Sequence, residues 1–367
     1  MVKVHFLGKK GACFYRHYYP VRVFNRQLKE SGVEVQFFSS PTSNGIENCD
    51  ILIVLEHGYR DILSIKNCDR QSAVDFLSSF LPKFKKVIWF DDHDSSGMLR
   101  TYIFPLVDIY GKAQILRNRN YYKEQHLTGV VHRDCVTEKF QIDDKSIFKG
   151  ILSDQEIGKI VVAWNLGLVN WPFFYSWSKI QSQIHLRLSK NYNLTFTKPN
   201  LSTRLNHITF RGQMWKNAPT VFWWRNKTTE KLQGFSSKNP GLRIISSGKV
   251  SKKEYHLEMR NTVVTVSPFG IGEICYRDFE SFINGSLLFK PNMDHLQTWP
   301  DLYIDGVTYI SHKWDFSDFE EKLDQILSHP ERYEEIAREG QRRFQAALTD
   351  GRPFVEHFIN LINGVEK

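Results

Sequence analysis

Residues 267–291 read SPFGIGEICYRDFESFINGSLLFKP. Gly270 and Gly272 stand between a β-branched run and a stretch with helical spacing, where the backbone can come close to a ligand. A helix opening near Glu273 would aim free N–H groups and its positive end at that place, which suits a phosphate. Arg277 and Glu280 are spaced i, i+3 and share a face of this helix. A guanidinium there binds phosphate or a sugar hydroxyl, or simply holds its neighbouring carboxylate. Glu280 is suited to accept from both hydroxyls of a ribose. The same spacing also describes an ordinary Arg–Glu pair on an amphipathic helix.

Similar edges recur along the chain. FRGQMWKN (210–217) follows a strand and offers Arg211 and Gly212. Lys249 comes just after ISSG, and Lys290 ends the strand after the motif helix; either can neutralise diphosphate. FDDHDSSG (90–97) gathers Asp91, Asp92, His93 and Asp94 at a strand end. Concentrated carboxylates there suit a general base for a hydroxyl acceptor, with Asp92 and Asp94 favoured, or equally a turn and helix cap. One Asp-rich turn without a second ligand cluster argues for no metal. GKKGACFYRHYYP (8–20) places Arg16 and His17 where an acceptor or donor would pass. It is not a P-loop, because G-K-[ST] is absent.

These residues need strand ends to carry them. VKVHFLG (2–8), VEVQFF (33–38), CDILIVLEHG (49–58) and KVIWFDDHDSSG (86–97) read as strands. Helical spacing fills 20–32 and 72–84, and 107–117 reads as a strand–helix junction. A second series has strands at 207–212, 242–248, 262–270, 286–291 and 306–311, with helices at 220–235, 252–261, 273–285, 315–348 and 352–364. Alternation of this kind implies parallel sheets covered on both faces. The expected fold is α/β, two Rossmann-like doubly wound domains facing across a cleft. The expected division is 1–170, 171–350, and a helix at 351–367 packing back on the first domain. A dehydrogenase is disfavoured, since no G-x-G-x-x-G follows the first strand.

With 367 residues, the chain is long enough for two cores. Its net charge of +9 favours anionic partners: a nucleotide, nucleic acid or an anionic membrane. Five widely spaced cysteines without C-x-x-C argue against a disulfide framework and for a reducing compartment. Met1 leads straight into a strand-like run, so no secretory leader is expected. IVVAWNLGLVNWPFFYSW (160–177) is interrupted by Asn165, Asn170 and Pro172, against the about 20 apolar residues a span needs. Contact with a membrane surface stays open.

The 267–291 stretch resembles the donor-nucleotide motif of GT-B glycosyltransferases, a Gly-rich turn before a helix in a pattern like E…FE-x-x-x-x-G. The resemblance implies that Glu280 holds the ribose of a nucleotide-sugar, UDP- or GDP-linked, and that Glu273 corresponds to the family's earlier acidic residue. The Arg-x-x-Glu spacing of Arg277 and Glu280 is also similar to the ribose-binding helix of phage DNA glucosyltransferases. It further implies sugar transfer to a hydroxyl, a base from the first domain where there is one, and no obligatory metal or other cofactor. The expected acceptor is a surface polysaccharide or lipid-linked glycan, with modified DNA as the rival. A non-catalytic nucleotide- or glycan-binding protein is the other class. The expected location is cytoplasmic, extending to the inner face of the membrane.

Overall fold

The computed structural model describes residues 1–8, 17–56, 70–142, 144, 150–176, 178–188, 190–246 and 248–365. Two parallel sheets dominate it. The first holds β1 (Val2–Leu7), β2 (Val33–Phe38), β3 (Ile51–Leu55), β4 (Val87–Asp91), β5 (Ile109–Lys112) and β7 (Ile160–Val162) in the order β2-β1-β3-β4-β5-β7. β3 and β4 are buried at every position, as expected of central strands covered on both faces. The second sheet holds β8 (Asn206–Thr209), β9 (Ile244–Ile245), β10 (Thr262–Val266), β11 (Leu287–Pro291) and β13 (Ile310–His312) in the order β13-β11-β10-β8-β9. Every pairing in both sheets is parallel. The α/β reading with two doubly wound sheets therefore holds.

Helices accompany the sheets: α1 (Tyr19–Val23), α2 (Asn25–Glu30) and α3 (Arg70–Phe80) come with the first, whereas α4 (Val131–Phe140) packs toward the second half of the chain, with the Phe140 ring 4.5 Å from Trp223 and the His132 ring 4.7 Å from Phe269. After α5 (Trp171–Phe174) and α6 (Lys179–Leu188), the second sheet is joined by α7 (Pro219–Lys238), α8 (Lys252–Arg260), α9 (Tyr276–Asn284), α10 (Phe319–Ser328) and α11 (Glu334–Thr349). α12 (Gly351–Asn363) returns to the first sheet, where Phe354 packs on Phe24 and Trp164 and Phe358 stacks on Phe6.

One expectation changes. The 107–117 stretch contains no helix: after β5, residues Gln114–Leu116 form β6, which pairs antiparallel with β12 (Leu296–Thr298) from the second half of the chain. Within the apolar 160–177 stretch, residues 160–172 are buried throughout. Trp164, Leu168 and Trp171 are buried, and Trp171 packs against Tyr276, Phe279 and Phe344. Burying such a side chain contributes about 1.5–3 kcal/mol, far more than it would gain exposed.

Candidate functional site

In the gap between the two sheets, the chain that follows β10 meets the chain that follows β4, where Ser96 donates to Glu273. After β10 the chain runs through Ser267–Gly272 and then turns into α9. That helix starts at Tyr276, three residues later than its spacing predicts. Its start is already capped. Asp278 accepts from the Cys275 N–H at 3.2 Å, from Tyr303 Oη at 2.9 Å, and pairs with Lys290 Nζ at 3.3 Å. The helix end therefore offers an anion less than expected, because a buried carboxylate stands there. Gly285 ends α9 in the left-handed region, φ 62°, where a side chain would collide with the Thr197 carbonyl at 2.3 Å.

The glycine turn approaches protein. A Cβ on Gly272 would lie 1.6 Å from the Asp94 carbonyl oxygen. The Gly270 carbonyl accepts from His132 Nε2 at 3.3 Å, and the Ile271 carbonyl from Arg133 Nη2 at 3.2 Å. Glu273, fully buried, accepts from the Ser96 backbone N–H at 3.0 Å and from Ser96 Oγ at 2.7 Å. Burial alone would raise its pKa, but His132, with Nδ1 3.6 Å from its Oε1, then His295 and the Ser96 hydrogen bonds hold it down at about 2. Glu273 thus fastens the turn to the first half of the molecule.

Arg277 and Glu280 are half-buried on α9. Arg277 Nη2 donates to the Arg211 carbonyl, and its guanidinium lies 5.2 Å over the Phe210 ring. Its Nε has no hydrogen-bond partner. Arg225 of α7 faces the same place. Its guanidinium stacks over Trp215 at 4.8 Å, and Nη2 would lie 3.5 Å from a Cβ on Gly270. Burial and the charge of Arg277 together depress the Arg225 pKa. Among the described residues neither guanidinium forms an ion pair with a carboxylate. Glu280 accepts from Tyr255 Oη at 2.6 Å; burial raises its pKa, against the pull of that hydrogen bond and of Arg277 and Lys252.

Other predicted residues take supporting positions. Arg211 grips Glu258 through two contacts of 2.6 Å and holds the Gly248 carbonyl at 2.8 Å, so it braces Arg277 rather than offering its own charge. Lys249 is exposed beside Gly248. Lys290 is fully buried against Asp278 and 5.3 Å over Phe269, so its ammonium does not reach the gap. His17 is buried edge-on to Phe90, with its carbonyl accepting from Trp164 Nε1 at 2.8 Å, which leaves it turned inward. Arg16 lies outside the described residues.

On the first sheet's edge Asp92 is buried and Asp94 half-exposed, next to the Gly272 turn. Between them His93 Nδ1 lies 3.1 Å from Asp91 Oδ1 and 3.3 Å from Glu56 Oε1. Burial disfavours its proton, but those two carboxylates push its pKa up to about 10. Glu56, Asp91 and His93 could together hold a metal by distance, their ligand atoms lying within 4.8 Å. Lys112 Nζ, 2.8 Å from Asp91, and Arg100, paired with Glu56, already supply the opposing charge. The set is a closed ion-pair network.

Arg225 carries no sequence motif. Its one signal is the absence of any Asp or Glu three or four residues away, so helical spacing gives it no partner.

No protein-family model matches the chain, and no curated protein does. Solved structures similar over its length include an alpha-glucosyltransferase in complex with UDP-glucose and DNA containing an abasic site, at 11% identity, TM-score 0.46, covering 98% of this chain and 99% of that one. Anabaena HepE in complex with UDP-glucose aligns at 8% identity, TM-score 0.41, over 98% and 100%. A Rickettsia africae glycosyltransferase aligns at 10%, TM-score 0.44, over 99% and 97%. At these scores and identities the chemistry of the site follows from its own residues alone.

Proposed function

We propose that the protein transfers a sugar from a nucleoside-diphosphate sugar to a hydroxyl acceptor, in the manner of a GT-B glycosyltransferase. One observation carries this reading. Arg225 reaches the Gly270 turn within the electrostatic reach of Arg277, neither guanidinium pairs with a carboxylate among the described residues, and Arg277 stands one helical turn from the half-buried Glu280. Like charges brought together out of water are costly unless an anion joins them. A diphosphate between them, with the ribose diol on Glu280, satisfies all three groups.

In the reaction the acceptor oxygen bonds the anomeric carbon as the carbon–oxygen bond to diphosphate breaks. The electron pair leaves with the diphosphate, and the two arginines stabilise that charge as it develops. The acceptor proton goes to Asp94, which is half-exposed beside the turn, whereas Asp92 is buried. UDP and GDP sugars are the donor class, and a lipid-linked or surface glycan is the favoured acceptor.

The test is a thermal-shift screen of nucleoside diphosphates and their sugars. A ligand at 100 times its dissociation constant adds about 2.7 kcal/mol. Arg225→Ala and Arg277→Ala should each weaken binding by about 10- to 100-fold, the worth of a charged hydrogen bond. Asp94→Asn should keep donor binding and lower turnover of a labelled donor about a hundredfold or more. Donor binding without turnover would identify a binding protein instead. No stabilisation by any nucleotide would end the proposal.

A further inference from the structure

Formal charge is unevenly distributed along this chain. Residues 157–229 contain ten Lys or Arg and no Asp or Glu, so one segment accounts for the whole excess of +9. Within it lies α6, Lys179–Leu188. One side of α6 is held down: the His185 carbonyl accepts from Asn170 Nδ2 at 3.1 Å, and His185 Nδ1 contacts the Pro172 carbonyl at 2.6 Å. The other side is open. Ile180, Ile184 and Leu188, spaced i, i+4, i+8, are 74%, 48% and 70% exposed. Lys179, Arg187 and Lys190 are exposed around that stripe.

We propose that α6 is an interfacial helix that seats the protein on an anionic lipid surface. Apolar side chains in one stripe enter the boundary between headgroups and acyl chains, and flanking cations meet lipid phosphates. The composition of the patch selects this partner. A nucleic acid would use the cations but has no place for three exposed aliphatic side chains. A second copy would cover the stripe but set Lys179, Arg187 and Lys190 against their own equivalents. No helix of the described residues is long and apolar enough to cross a membrane, so the contact is with the surface. Ser176, just before α6, accepts from Lys252 Nζ at 3.1 Å, and Lys252 lies within the electrostatic reach of Glu280. The seated helix thus places the donor half of the gap near the lipid. The seating itself does not depend on the chemistry in the gap.

The experiment is flotation of the full chain with vesicles of phosphatidylcholine and phosphatidylglycerol, against phosphatidylcholine alone. The protein is expected to float with the anionic vesicles and to be released by salt. Ile180→Ser/Ile184→Ser/Leu188→Ser should lower partitioning about tenfold or more. Lys179→Gln, Arg187→Gln and Lys190→Gln should each lower it about fivefold. All six positions are exposed, so melting temperature and nucleotide-induced stabilisation should match the wild type and certify the fold. Absence of flotation, equal flotation on neutral vesicles, or flotation unchanged by both sets of substitutions would overturn the proposal. So would duplex DNA binding that the glutamine variants abolish while flotation persists, or a dimer that the serine variant dissociates.

Discussion

Gly272 and the Asp94 carbonyl oxygen are so close that a Cβ on the glycine would lie 1.6 Å from the oxygen. The Gly272 turn of the second half and the Asp94 loop of the first touch through backbone, with no room for a side chain. Gly272→Ala should therefore separate the two halves at this point. We expect a loss of about 1–3 kcal/mol in denaturant unfolding, the usual size of an overpacking clash. Turnover should fall more than donor affinity, because Arg225 and Arg277 both belong to the second half. Wild-type stability in this variant would show that the halves part without cost.

Glu280 links binding to instability. Its pKa is raised, so the protonated form is favoured in the folded protein. A raised carboxylate contributes stability below its unfolded pKa and loses it as pH rises through the folded one, so the ionised form is the one the fold disfavours. Glu280→Gln keeps an acceptor for Tyr255 Oη and removes that charge. The variant should melt higher than wild type without ligand, yet gain less from a nucleoside diphosphate. A lower melting point in the unliganded variant would count against this.

Acid should loosen the molecule in two steps. His256, His295, His312 and His357 are held neutral by burial, their pKa values lowered to about 4 from 6.5. Stability from these groups is present above 6.5 and is lost as pH falls toward 4, each contributing at most about 1.4 kcal/mol per pH unit. Glu273, lowered from 4.5 to about 2, adds a second loss between those values. Glu273→Gln should remove only the second step. Unfolding free energy that stays constant from 6.5 down to 4 would refute the first.

Lys290 and Asp278 form a fully buried pair under the turn. Lys290→Met should cost about 3–5 kcal/mol by stranding the Asp278 carboxylate. Lys290→Met/Asp278→Asn should recover much of it. A phosphate-binding lysine would behave otherwise, losing donor affinity with little change in stability. Equilibrium unfolding and ligand titration of both variants distinguish the two roles.

Legibility in the sequence followed the range of the interactions involved. β2 is legible at its observed ends, because Val33 and Val35 alternate with polar residues beside Gly32 and lead into two phenylalanines, a local signal. Arg277 and Glu280 share a helix face for the same local reason. The strand–helix expectation at 107–117 fails because β6 pairs with β12, about 180 residues away, which leaves no local trace. The pairing of Lys290 with Asp278 has no local signal, because its burial depends on the whole second core. The late start of α9 reflects a cap built from Cys275 and Asp278, an uncommon choice for that position. Arg225 stayed hidden because only folding brings α7 against the Gly270 turn.

The return of α12 sets an order of assembly. Phe354 and Phe358 complete a hydrophobic layer begun by Phe6, Phe24 and Trp164, and Leu361 reaches to within 3.3 Å of where a Cβ on Gly111 would stand. A ribosome making this chain releases those early strands long before their cover exists. The first sheet must wait, with an apolar face open, until the entire second sheet has been synthesised. Its folding is thereby tied to the completion of its neighbour, and a chain interrupted before residue 351 would leave the earliest-made half unfinished.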